Sequence, residues 1–283
     1  MNMRAPVNTA LSDQALLSGF EKAALDAGRV IMKHYTDGCA VTSKADRSPV
    51  TEADHAAEAI ILSALAKILP GVPVVAEEEV AAGRLPASLG RRFLLVDPLD
   101  GTREFLLRNG DFTVNIGLIE DGVPVAGVVY APARNLLFIG AGGHAEEVTT
   151  TPEHETANRR KIRACVAGDE QVAVCSRSHN SPETADFLNN NRISGHISVG
   201  SSLKFCMIAR GEADIYPRCS ATMEWDTAAG DAVLRASGGM TSDLDGKPLV
   251  YGERFNGDVT GFANPHFIAY GAGPVPSFFA QQA

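Results

Sequence analysis

The apolar run Phe93-Leu94-Leu95-Val96 breaks directly into Asp97-Pro98-Leu99-Asp100-Gly101-Thr102, and this junction restricts the possible folds more than any other part of the chain. A strand that ends in two acids three residues apart, with a proline stiffening the turn between them, can hold both carboxylates toward one point. Gly101 and Thr102 open the next element, so their backbone N–H groups can face an anion. Hard oxygen donors in this number suit Mg²⁺, whose shell is shared among carboxylates, waters and substrate phosphate. The same string is also a common surface turn, in which Asp and Gly supply turn chemistry and proline fixes φ. The rest of the chain decides between the two.

A chain of 283 residues accommodates one large domain or two packed lobes. Its 25 basic and 34 acidic residues leave a formal charge of −9, which argues against a nucleic-acid polymer as partner. A phosphate ligand must therefore be admitted locally, by metal ions or by placed lysines and arginines. The cysteines Cys39, Cys165, Cys175, Cys206 and Cys219 are scattered and form no C-x-x-C pair, as expected of reduced, buried thiols. No signal peptide is expected from Met1 to Thr9, and no apolar run approaches the roughly 20 residues of a membrane helix. These features predict a soluble, cytoplasmic protein without a transmembrane segment, and leave open peripheral attachment to the inner face of the membrane. Monomer and homodimer are equally compatible with them.

Hydrophobic spacing predicts a helix from Leu11 to about Tyr35, with Leu16, Leu17, Phe20, Ala24, Ala27 and Ile31 on one face. The segment Asp37 to Pro49, including Lys44 and Asp46, is polar and turn-rich, as expected of a loop able to close over a site. Thr51 then caps a second helix, with Asp54 at its third position and Pro70-Gly71 beyond its end. Short strands follow at Pro73–Ala76 and Phe93–Val96, and Asp121-Gly122 joins Thr113–Ile119 to Val123–Tyr130 as a hairpin. Another strand is expected over Asn135–Ile139. Residues Gly140 to Arg163 read as a connection between lobes, and Arg159-Arg160-Lys161 as a solvated face. Beyond it come strands at Val172–Cys175 and Ile193–Val199, and helices at Pro182–Leu188, Ser201–Arg210 and Trp225–Ala236. The order predicts an α+β fold with an N-terminal lobe over 1–150 and a C-terminal lobe over 151–283.

Further acids recur near the ends of these elements. Glu77, Glu78 and Glu79 follow an apolar strand, where three adjacent charges repel unless solvent or a cation relieves them; an exposed acidic loop is the plain alternative. Asp226, near the start of the last long helix, is equally explained as a helix cap, as is Asp54.

Taken together, Ser48-Pro49-Val50-Thr51-Glu52-Ala53-Asp54, Glu77-Glu78, Asp97-Pro98-Leu99-Asp100-Gly101-Thr102 and Glu224-Trp225-Asp226-Thr227-Ala228-Ala229-Gly230 resemble the inositol monophosphatase-like superfamily of Mg²⁺-dependent, lithium-sensitive phosphatases. They occur in that superfamily's order, from about residue 10 to 270. Arg103-Glu104-Phe105, the Asn109–Asn115 segment, Gly200-Ser201-Ser202-Leu203-Lys204-Phe205-Cys206 and Tyr216-Pro217-Arg218 are similar to its CysQ-type 3′(2′),5′-bisphosphate nucleotidase branch. The loop Cys219-Ser220-Ala221-Thr222 departs from that branch, which bears on the shape of the nucleoside pocket.

The resemblance implies a layered αβαβα sandwich and hydrolysis of the 3′-phosphate of adenosine 3′,5′-bisphosphate, a step tied to sulfur metabolism. It implies that Glu77, Asp97 and the Leu99 carbonyl hold one Mg²⁺ and that Asp97, Asp100 and Asp226 hold a second, with two or three ions per site in all. Gly101 and Thr102 would meet the phosphate, and Glu78, Thr102 and Asp54 would orient or deprotonate the attacking water. Lys204 and Arg218 would lie near the 5′-phosphate or ribose, and Ser201 and His179 would contact sugar or base, although Lys204 alone reads as a surface lysine lying along its helix. The alternatives are an inositol or sugar phosphate as substrate, and a catalytically silent sensor of metal or nucleotide.

Overall fold

The computed structural model describes residues 12–38, 40–43, 49–168, 170–178, 181–191 and 193–273. Lys44, Asp46 and His179 therefore lie outside the described residues. The chain runs through α1 (Asp13–Asp37), β1 (Val41–Ser43), β2 (Pro49–Thr51), α2 (Glu52–Ile68), β3 (Val74–Ala76), α3 (Glu77–Ala81), β4 (Arg92–Asp100), α4 (Thr102–Leu106), β5 (Thr113–Glu120), β6 (Val123–Ala131), β7 (Leu136–Ala141), β8 (His144–Thr150) and β9 (Thr156–Lys161). It continues through β10 (Gln171–Ser176), α5 (Pro182–Asn190), β11 (Ile193–Val199), α6 (Leu203–Ala209), β12 (Ile215–Arg218), α7 (Glu224–Ser237), β13 (Met240–Asp243) and β14 (Phe267–Tyr270).

The first helix forms where its spacing requires. Leu16, Phe20, Ala24, Ala27 and Ile31 are buried, Ser12 accepts the Ala15 N–H at 3.3 Å, and Gly38 ends the helix at φ +85°. At the start of α2, Thr51 accepts from Ala53 while the Asp54 carboxylate returns to the Thr51 N–H at 2.9 Å, a capping box.

Two sheets carry these helices in layers. The larger has the order β3-β4-β5-β6-β7-β8-β9, antiparallel except for the β3/β4 pair; the smaller has the order β11-β10-β12-β14-β13. Helices α1 and α2 cover the outer face of the large sheet around Phe20, Ile31, Ile61, Leu94, Ile116 and Val128. Helices α6 and α7 lie between the sheets, packed around Phe205, Ala229, Val233 and Phe267. Phe187 and Leu188 of α5 cover the far side of the small sheet. The result is the five-layer αβαβα arrangement.

Close approach of α7 to the large sheet depends on three glycines in register, Gly117 opposite Gly127 and Gly127 opposite Gly140. A Cβ at Gly127 would stand 2.5 Å from the Ala229 carbonyl oxygen, and one at Gly140 would stand 2.7 Å from the Val233 Cα. Alanines at 228, 229 and 232 on the facing side of α7 complete the contact. This packing brings the N-terminus of α7 to the end of β4.

Gly140 to Arg163 is not a connection but most of a β-meander, ending β7 and supplying β8 and β9. The glycines there make a tight turn rather than a linker, and the large sheet extends past the expected boundary at 150 to Lys161. The residues of β9 are all exposed at the sheet edge, where Arg159 pairs with Glu21 and Arg160 with Glu147. Charged side chains on an edge strand block pairing with other chains. The expected helix at Ser201 begins two residues later, because Ser201 adopts φ +53°. No strand was expected over β12, which contains Pro217, or over β13 and β14, because these four-residue strands are too short to display alternation.

Candidate active site

Simple alternation along a strand would send Asp97 and Asp100 to opposite faces, since they are an odd number of residues apart. The register with β5 shifts between them: Asp97 lies opposite Asn115, but Asp100 lies opposite Thr113. Three steps on β4 thus match two on β5, a bulge that carries one extra residue and turns both acids to the same side. Asp97 is buried and accepts the Leu99 N–H at 3.0 Å, which folds the proline turn back on itself. Gly101 closes the turn at φ +90°; a Cβ there would fall 2.2 Å from the Ser201 hydroxyl oxygen.

Beside this turn lies a cavity of about 760 Å³. Its wall gathers Glu77, Glu78, Asp97, Leu99, Asp100, Gly101 and Thr102 from the first part of the chain, and Ser201, Lys204, Arg218 and Asp226 from the second. Of the three successive acids, Glu79 turns away and pairs with Arg84 at 2.6 Å, leaving Glu77 and Glu78 on the wall. The Glu78 backbone N–H donates to Glu58 Oε2 at 2.9 Å. Thr102 Oγ1 lies 3.3 Å from Asp54 Oδ1 and 3.4 Å from the Leu99 carbonyl oxygen. Asp54 does not line the cavity; it stands directly behind Thr102, inside the α2 cap.

Asp100 is held by residues to which the sequence reading gave no role, although they lie in segments that carry the resemblance. Thr113 Oγ1, Asn115 Nδ2 and Ser202 Oγ all donate to its Oδ2, at 3.5, 3.3 and 3.1 Å. Ser202 also lies 2.6 Å from the Asp226 carbonyl oxygen, which ties β4 to α7. The one available signal was the spacing of Thr113 and Asn115, two polar side chains on the same face of an otherwise apolar strand. Glu58 carried a comparable signal, lying one helical turn beyond Asp54 on the buried face of α2.

Asp226 caps α7 through the Met223 N–H at 2.8 Å, so the cap explanation and the site position coexist. Burial, followed by the charges of Asp100 and Glu77, raises its carboxyl to about 8. Burial likewise raises Asp100, against the charge of Lys204. These are carboxylates facing one another across a cavity with too little positive charge. Among the described residues no three His, Cys, Asp or Glu side chains by themselves form a site that could hold a metal ion. The expected ligands reach one cavity without closing into a shell. The donor set still suits a hard divalent cation, which takes few carboxylates together with carbonyl, water and substrate oxygens and relieves the mutual repulsion.

The opposite wall is cationic. Lys204 is not a surface lysine: it is 5% exposed, donates to the Ser201 carbonyl at 2.6 Å and lies 5.2 Å from the Tyr216 ring centre. Burial lowers its amine to about 8, with Asp100 opposing the shift. The Arg218 guanidinium holds the carbonyls of Ser220 and Ala221 at 3.3 and 2.9 Å, which orders the loop where the sequence departs from the nucleotidases. The Ser201 hydroxyl lies 2.8 Å from the Asp100 carbonyl oxygen and 2.5 Å from that of Asp111, so its proton ties the turn before α6 to the end of β4 and the segment before β5.

Comparison with known proteins agrees with this geometry. Residues 12–266 match the inositol monophosphatase family. The chain is 44% identical over 246 residues to the 3′(2′),5′-bisphosphate nucleotidase CysQ of Escherichia coli strain K12, covering 86% of this chain and 95% of that protein. It is 31% identical to the CysQ of Aggregatibacter actinomycetemcomitans, over 89% and 91% of the two chains. The crystal structure of CysQ from Bacteroides thetaiotaomicron superimposes with a TM-score of 0.75 at 34% identity, covering 94% of this chain and 100% of that one. An inositol monophosphatase from Anabaena superimposes with a TM-score of 0.70 at 25% identity, over 95% of each chain. Sequence, layered fold and acid-lined cavity agree that this chain belongs to the inositol monophosphatase family.

Proposed function

We propose that this chain is a metal-dependent 3′(2′),5′-bisphosphate nucleotidase that hydrolyses adenosine 3′,5′-bisphosphate to AMP and phosphate. The observation that carries this reading is the continuity of the cavity from the acids at Asp97 to the cationic wall of Lys204 and Arg218. The nucleotidases at up to 44% identity support the choice of substrate.

Glu77, Asp97, the Leu99 carbonyl, Asp100 and Asp226 would hold divalent cations, which we read as two or three Mg²⁺. When bound, these ions supply charge against the phosphate oxygens and acidify water at the site. The protein's own groups do the rest. Asp54, fixed by the Thr51 N–H and hydroxyl, accepts the Thr102 proton at Oδ1 and so turns a Thr102 lone pair toward the cavity. A water there can donate to Thr102 Oγ1 and to the Glu78 carboxylate, which points one of its lone pairs for in-line attack. The backbone N–H groups of Gly101 and Thr102 face the phosphate, while Lys204 and Arg218 supply positive charge near the 5′-phosphate or ribose. An acidic protein can bind an acidic substrate because the attraction is confined to this cavity.

The test is phosphate release from adenosine 3′,5′-bisphosphate and from inositol 1-phosphate, side by side with Mg²⁺, using Asp97→Asn as the blank. Preference for the nucleotide, lost in the variant, is the expected result. Preference for the inositol ester would discard the nucleoside wall, and silence on both, with Mg²⁺ still raising Tm, would leave a binding protein.

A further inference from the structure

Asp111 is fully buried just before β5, and its carboxylate takes no part in the chemistry above. That carboxylate is gripped from three directions. Arg134, in the turn between β6 and β7, pairs with Oδ1; Arg177, just past the end of β10, pairs with Oδ2 at 2.8 Å; and the Gly200 N–H donates to Oδ2 at 3.0 Å. The Asp111 backbone is engaged as well. Its N–H donates to Asn109 Oδ1 at 2.9 Å, and its carbonyl accepts the Ser201 hydroxyl at 2.5 Å. A carboxylate without access to water requires such partners, and here they come from three separate segments.

What this arrangement holds is a strained turn. Ser201 is a non-glycine residue at φ +53°, a left-handed conformation that persists only where its surroundings impose it. Asp111 supplies two of the contacts that do so, one to the Gly200 N–H and one to the Ser201 hydroxyl. A Cβ on Gly200 would stand 2.7 Å from the Asp111 carbonyl oxygen, so the two segments lie directly against each other. The turn then places Lys204, whose ammonium donates to the Ser201 carbonyl at 2.6 Å, while the Phe205 N–H goes to the Ser202 carbonyl at 3.1 Å. One of the three ammonium N–H groups is used there, which leaves two for a substrate oxygen. A flexible four-carbon side chain keeps its charge in one place only when an anchor of this kind fixes it.

Resting on the nucleotidase reading above, we infer that Asp111 is a positioning residue for substrate binding: through the left-handed Ser201 turn it fixes the carbonyl that directs the Lys204 ammonium into the cavity. Lys204 lines the cavity and Asp111 stands behind it, so the effect of Asp111 reaches the substrate by way of Lys204. The acid end is held separately, since Thr113 and Asn115 of β5 donate to Asp100 without the help of this turn.

The experiment measures kcat and KM for adenosine 3′,5′-bisphosphate in the wild-type protein, Asp111→Ala, Asp111→Asn and Lys204→Met, and in each Asp111 variant combined with Lys204→Met. Asp111→Ala raises KM about tenfold, the range of one lost charged contact, with kcat changed by less than about threefold. Asp111→Asn raises KM less, because its amide oxygen still accepts the Gly200 N–H; it also keeps the side-chain volume, and carries the comparison if Asp111→Ala does not fold. In the Lys204→Met background either Asp111 substitution adds less than about twofold, since two residues that act through one contact are not additive. A KM rise of the same size with and without Lys204 overturns the inference, as does a loss confined to kcat or an unchanged KM in folded Asp111 variants. A wild type that rejects the nucleotide and hydrolyses inositol 1-phosphate overturns the nucleotidase reading, and this inference with it.

Discussion

Thr102 Oγ1 lies 3.3 Å from Asp54 Oδ1, although 48 positions separate the two residues. The other Asp54 oxygen is 2.9 Å from the Thr51 N–H and 2.6 Å from the Thr51 hydroxyl. One carboxylate therefore caps a helix and orients a hydroxyl on the cavity wall. Asp54→Asn should lower kcat about 100-fold or more, the usual reach of positioned acid–base groups. Thr51→Ala should cost about 1 kcal/mol of stability, as lost caps do, with a much smaller effect on rate. Initial rates and urea titrations of both variants separate the two roles; full turnover in Asp54→Asn would remove Asp54 from the mechanism.

The metal-free protein should weaken as pH rises. Burial holds the Glu58 and Glu224 carboxyls at about 7 and Asp226 at about 8, against ordinary values of 4.5, 4.5 and 3.8. A carboxyl raised in the folded state contributes stability that is complete below its unfolded value and lost as pH rises through its folded value. The urea midpoint without divalent ion should therefore fall between about pH 4 and pH 8, and saturating Mg²⁺ should restore the part of the loss at pH 8 that is due to Asp226. A flat profile with chelator present would contradict the burial of these acids.

Lys204 introduces a second pH dependence, visible in substrate binding. Burial lowers its amine from the usual 10.5 to about 8, so its charge is present below that pH and lost above it. KM for the nucleotide should rise above pH 8 in the wild-type enzyme. Lys204→Met should show a KM about tenfold higher at neutral pH, in line with one lost charged contact, and no further rise above pH 8. An unaltered alkaline rise in Lys204→Met would assign that titration to another group.

Gly101→Ala should be costly for two separable reasons. Its φ of +90° strains any side chain, and the added Cβ would meet the Ser201 hydroxyl oxygen at 2.2 Å and the Asp111 carbonyl oxygen at 3.1 Å. A loss of about 2 kcal/mol or more is expected in denaturant titration, accompanied by a fall in kcat. Ser201→Ala in the same chain should recover part of the stability by removing the nearest atom. Additive losses in the double variant would show that the clash is relieved elsewhere.

Much of this site was legible in the sequence because its acids cluster next to recognisable element ends. The Thr51 cap with Asp54, the apolar run before Asp97 and the short segment Glu77–Glu79 are all local patterns, and local patterns survive in one dimension. Asp97, Asp100 and Asp226 were singled out in this way and do line one cavity. Glu58 was not singled out, and Asn115 and Ser202 were quoted within motifs without a role. Each acts through a partner distant in the chain: Glu58 on the Glu78 backbone, and Asn115 and Ser202 on the Asp100 carboxylate. Lys204 was weighed as a surface lysine because periodicity cannot show that a second sheet covers α6.

Alternation, capping residues and turn chemistry determined α1, α2, the hairpin at Asp121-Gly122 and the order of the acids, since all depend on near neighbours. Tertiary structure alone decided that the Gly140–Arg163 stretch extends the large sheet, that a bulge turns Asp97 and Asp100 to one side, and that three glycines in register let α7 carry Asp226 to the end of β4. The physical reason is pairing. A strand edge, a register shift and a helix resting on bare backbone each require a second segment, so neither segment records the contact alone.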